Sequence, residues 1–239
     1  MDYFKVCHSD VLTLWFWRNP ILGPDPTTCQ TAQTILAKGS GQSPITEKET
    51  QVMEFISQQE KNIKTNLFSE SAIATARNIL DFFRISLVQT IEVYVVAEKV
   101  GGGGTFCASP KPFIILRVPF LGNASQGAFW HEYIHSISFF SNLYQQKKND
   151  LLSQVHIPQG VQISPQNIID EGMAYVVEPW IRERKVKENN LELERIGIFR
   201  AWGKYREQTL LRRHYSSFVD IMESIPQDWS SFVQDFVVL

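Results

Sequence analysis

The chain has 239 residues, 44% of them apolar and 20% charged, with a formal net charge of −2. That length buries a real core in one generous domain or two close-packed subdomains, and the composition excludes a disordered chain. A nearly balanced charge leaves no basic field for nucleic acid or an anionic membrane, so neither is an expected partner.

The first twenty residues, "MDYFKVCHSDVLTLWFWRNP", hold an apolar core of only seven, "VLTLWFW", preceded by Asp2 and Asp10. This fits poorly with a secretory leader and is too short to span a bilayer, so the expectation is a soluble, cytoplasmic protein. Residues 19–45 are rich in Pro, Gly, Ser and Thr and read as loop with at most one short helix. "TEKETQVMEFISQQEKNI" then opens with Thr46 and Glu49, spaced as a capping box, ahead of helical spacing at Val52, Phe55 and Ile56. A second helix follows in "SAIATARNILDFFRI", with Ile73, Ile79, Leu80 and Phe83 as its buried stripe.

The period then changes. "TIEVYVVAEK" alternates and is β-branched, and "PFIILRVPF" is a short continuous apolar run, so both are predicted strands. Between them, Gly101–Gly104 read as a flexible connection, because no Lys-Ser/Thr follows to make a phosphate-binding loop. From Ala124 the pattern is helical: "NASQGAFWHEYIHSISFFSNLYQQ", then "SPQNIIDEGMAYVVEPWIRERK" with Ser164 as N-cap and Pro165 in the first turn. Further helical stripes follow, broken near Gly203. "IRERKVKENN" is interrupted by acids and reads as a solvated helix face. Cys7, Cys29 and Cys107 lack metal-type spacing and exclude a multi-bridge framework while leaving a single bridge open. The layout is α+β: a loop-rich segment over 1–45, a sheet and histidine-bearing helix over 46–150, and a helical part over 151–239.

The stretch "AFWHEYIHSISFF" sets two of the chain's five histidines four residues apart in an otherwise apolar run. On a helix, positions i and i+4 lie about 40° apart, so His131 and His135 present both rings to one side, where they can share a metal ion. Glu132 lies about 100° round from His131, beside the metal, where a general base for water belongs. A chance His-Glu-x-x-His is expected in roughly one such chain in a hundred, so the test is a third ligand with its own signature. "IIDEGMAYVVE" supplies it: Glu171 lies 36 residues after His135, and Glu171, Ala174, Tyr175 and Glu178 share one helical face. Two acids on a helix flanked by Ile168, Ile169, Val176 and Val177 call for a cation.

"HEYIH" followed by "DEGMAYVVE" resembles the gluzincin branch of zinc metallopeptidases, which includes thermolysin and the aminopeptidase N group. The second motif is similar to Asn-Glu-Gly-Phe-Ala-x-x-x-Glu: Glu171, Gly172, Ala174 and Glu178 match, while Asp170 and Met173 substitute. The resemblance covers about residues 91–180. It implies a zincin-like fold, one zinc ion per chain held by His131, His135 and Glu171, and Glu132 as catalytic base. It also implies that "PFIILRVPF" is an edge strand receiving a peptide or protein substrate by β-addition. Glu178, with Asp170, is expected to stand behind the ligands, where a carboxylate accepts the other N–H of a metal-binding histidine. In the family the oxyanion is met by a tyrosine or histidine downstream of the glutamate ligand. "LLRRHYSSF" offers His214 and Tyr215, 43 and 44 residues after Glu171, although no motif fixes that position.

"GGGGTF" stands where the aminopeptidases carry Gly-x-Met-Glu-Asn, so the acid that holds a substrate's free amine is missing and aminopeptidase specificity is not expected. The methionine-turn branch is excluded too, since Ser138 occupies the place of its glycine. The alternative is a catalytically silent scaffold that keeps a structural metal and binds a partner. The intact Glu132 argues against it. A third reading makes the helical C-terminal half an interaction module.

Overall fold

The computed structural model describes residues 3–19, 26–39, 44–86, 89–99, 102–108 and 111–152, together with residues 166, 170 and 174. Among these, six helices and a four-stranded mixed sheet make an α+β arrangement. In chain order they are β1 (Phe4–Cys7), α1 (Asp10–Arg18), α2 (Pro26–Lys38), α3 (Glu47–Leu67), α4 (Glu70–Phe82), β2 (Ile91–Glu98), β3 (Gly103–Cys107), β4 (Phe113–Pro119), α5 (Gln126–Phe140) and α6 (Asn142–Leu152). No described helix is long and apolar enough to cross a membrane. The chain divides into two compact units, Met1–Ala76 with Leu87–Ser136, and Arg77–Ser86 with Ile137–Leu239.

The first unit contains the sheet, in strand order β1-β2-β4-β3. β1 and β4 both run parallel to β2, and β3 pairs antiparallel to β4, with Gly104 opposite Leu116 and Gly103 opposite Arg117. β2 and β4 are interior strands; β4 accordingly reads as a near-continuous apolar run, and β2, which alternates at its start, is buried throughout its second half. "PFIILRVPF" is therefore β4, an interior strand, and not the edge strand expected of it. Among the described residues the edge beyond it is β3, which begins inside the glycine tract that read as a flexible connection.

Side chains alternate across the sheet. Phe113 and Ile115 of β4 join Val96 and Cys107 in a core with Leu12 and Phe16 of α1 and Ala32 and Ile35 of α2. Leu116 lines a cavity of about 340 Å³ together with Ile63 and Leu67 of α3 and Phe129 of α5. The first 45 residues thus hold a strand and two helices, more than their Pro, Gly and Ser content suggested. A disulfide joins Cys29 of α2 to Cys107 at the end of β3, and Cys7 is free.

Caps set the helix starts. Ser9 accepts the Leu12 N–H at the start of α1. At α3 the predicted capping box is present: Thr46 Oγ1 accepts the Glu49 N–H, and Glu49 accepts the Thr46 N–H at 2.9 Å. Arg18 grips the same carboxylate in a fork, Nε to Oε1 at 2.7 Å and the terminal nitrogen to Oε2 at 3.1 Å. The guanidinium beside it and the Thr46 amide hold the Glu49 carboxyl down to about 2. A carboxyl depressed on folding contributes stability above its unfolded value, and that contribution fades as pH falls toward the folded one. The melting temperature should therefore drop between about pH 4.5 and pH 2, and Glu49→Gln should flatten that acid limb in a thermal scan across pH.

In the second unit, Ile79, Leu80 and Phe83 are buried. Ser141 breaks the long helix expected after Ala124 into α5 and α6: its hydroxyl accepts the Tyr144 N–H at 3.1 Å and donates to Phe83 O at 2.9 Å.

Candidate metal centre

Gln59 of α3 fixes the approach to α5, donating to Gly122 O and accepting from the Ala124 N–H, each at 3.4 Å. Ser125 then caps the helix, its hydroxyl accepting the Ala128 N–H at 3.2 Å. Phe129, Trp130, Tyr133, Ile134 and Ile137 are buried. Phe4 of β1 meets Phe129, Trp130 and Tyr133 edge-on, at centroid separations of 5.3, 6.2 and 5.7 Å. That packing sets the rotation of α5 about its axis. His131, Glu132 and His135 fall on the half-buried remainder and are the only His, Asp, Glu, Lys or Arg in the helix.

The Nε2 atoms of His131 and His135 lie 3.1 Å apart, with the rings nearly perpendicular at 79° and their centroids 4.7 Å apart. Tetrahedral zinc with bonds of 2.0–2.1 Å separates two nitrogen ligands by roughly 3.3 Å. The two imidazoles therefore stand at a separation one zinc ion spans, and nitrogen donors of this kind suit zinc. The i, i+4 spacing brings the two rings together as helix geometry predicts, and the same 3.1 Å also suits a hydrogen bond from one imidazole to the other.

Glu132 lies toward the edge strand. A Cβ on Gly104 of β3 would fall 2.2 Å from Glu132 Cγ and 2.9 Å from both its Cδ and Oε1. The carboxylate arm therefore rests directly on bare glycine backbone. Sequence reasoning missed Gly104. The available signal was a glycine run just ahead of a strand pattern, which marks close approach of another group as readily as it marks a turn. Gly103 has its own need for glycine, a φ of +145°.

Of the downstream candidates, Glu171, Glu178, His214 and Tyr215 lie outside the described residues. Asp170 and Ala174 are helical, as "DEGMA" predicts, and Ala174 is fully buried. Both Asp170 oxygens are engaged within the second unit, Oδ1 by the Tyr144 hydroxyl at 2.8 Å and Oδ2 by Lys148 at 2.6 Å. Among the described residues, no group of three or more His, Cys, Asp or Glu is placed to hold a metal. The described residues thus supply two of the three expected ligands. No family model, curated protein or solved structure matches this chain.

Proposed function

We propose that the chain is a zinc-dependent peptidase of the gluzincin type, with a zincin-like fold. The observation that carries the reading is the pair of imidazole nitrogens 3.1 Å apart on α5, with Glu132 beside them and an edge strand alongside. His131, His135 and Glu171 are the residues that would hold zinc. Zinc there supplies Lewis acidity, making water acidic near neutral pH and polarising a carbonyl oxygen.

The remaining work falls to side chains and backbone. Glu132 accepts a proton from the attacking water and returns it to the departing amine. Among the described residues β3 borders another strand only on its β4 side, so an extended peptide can lie alongside it, although the Gly104 carbonyl already accepts from Arg117 and from the Thr105 hydroxyl. The role expected of "PFIILRVPF" thus passes to Gly103–Cys107. A peptide laid there runs beside Gly104, the residue against which Glu132 packs.

Metal analysis of the purified chain should find one zinc per molecule, and the zinc-loaded protein should cut members of a mixed peptide library. Chelation should stop the cutting and added zinc restore it. A zinc-replete protein that cleaves no peptide would end this reading.

A further inference from the structure

Gly104 is not in the left-handed region that only glycine enters readily, so an alanine there meets no backbone objection. The nearest obstacle is Glu132: the three nearest atoms to a Cβ at this position are its Cγ, Cδ and Oε1. Cγ is the telling one. Its position is set by χ1, so relieving an approach of 2.2 Å demands a jump to another staggered well, which carries the carboxylate away with it.

The glycine is also held from behind. Arg117 of β4, opposite Gly103 in the register, reaches the Gly104 carbonyl with its guanidinium at 3.4 Å. The same guanidinium is paired with Glu98 at 3.2 Å, and both side chains are buried. A buried ion pair is strongly destabilised when one partner is lost, which ties the guanidinium to its place. At the far end of β3, the Cys29–Cys107 bridge ties the strand to α2. β3 is therefore tied at Gly104 and at Cys107, which resists a shift of the strand away from α5.

We infer that Gly104 is the positioning residue for Glu132: its missing side chain forms the slot that sets the χ1 well of the base. The catalytic part of this inference rests on the peptidase reading; the steric part does not. The two are separated by a double-mutant cycle on thermal stability. Gly104→Ala in the native chain should lower the melting temperature by about 5 °C, the scale of overpacking in a chain of this size. In a Glu132→Ala chain the same substitution should leave it within about 1 °C, because Cγ is gone. Equal losses in both backgrounds would overturn the inference. Should Gly104→Ala fail to fold, a double variant that folds like Glu132→Ala supports the slot, and one that also fails to fold refutes it. In peptide hydrolysis Gly104→Ala should lower kcat about tenfold or more with KM and zinc content nearly unchanged. Full kcat would remove the positioning role. If the native zinc-loaded chain cuts nothing, the cycle still reports on the slot, and only the peptidase reading falls.

Discussion

Glu132→Gln should leave the chain folded and zinc-loaded while lowering kcat/KM for peptide hydrolysis a hundredfold or more, the range typical of a lost general base. The substitution is suited to this site because glutamine keeps Cγ and Cδ where glutamate has them, so it fills the same space against Gly104. What it loses is the capacity to take a proton. A fall in activity therefore cannot be laid to a shifted β3 or a rotated α5, whose orientation depends on Phe4 against Phe129, Trp130 and Tyr133. Melting temperature and zinc content measured beside the kinetics should match those of the native chain. Hydrolysis surviving in Glu132→Gln at the native rate would mean that another group moves the proton.

Local features were legible where neighbours in sequence decide them. The Thr46–Glu49 box, the β2 and β4 runs and the i, i+4 histidine pair each depend on residues a few positions apart, and each is found as read. What depended on the sheet order was not legible. β4 is apolar except for Arg117 because strands flank it on both sides, yet the same run on an edge strand would look alike. Gly104 read as flexible because the group that requires a glycine there, Glu132, lies 28 positions away in the chain. Cys29 and Cys107 are 78 residues apart, and only the packing of α2 against β3 distinguishes that pair from the two alternatives. The helix after Ala124 was read through Ser141 because serine alone is a weak stop signal; its bonds to Phe83 O and the Tyr144 N–H make it one.

His135→Ala should abolish stoichiometric zinc and, with it, the stabilisation that zinc gives the native chain. A ligand that binds only the folded state adds RT ln(1 + [L]/Kd), about 2.7 kcal/mol at a hundredfold excess over Kd. For a chain of this length, that raises the melting temperature by roughly 5–10 °C. The effect depends on His135 because its Nε2 stands 3.1 Å from that of His131, so one ion meets both nitrogens without moving the helix. Alanine leaves α5 a single imidazole. The apolar packing of the helix is retained, since it comes from Phe129, Trp130, Tyr133, Ile134 and Ile137, all of them buried. The variant without zinc should therefore melt close to the native chain without zinc, and adding the metal should move only the native protein. Glu132→Gln is the control, expected to keep the full zinc-dependent rise. A His135→Ala chain that still gains the native increment on adding zinc would place the metal elsewhere and sink the α5 assignment.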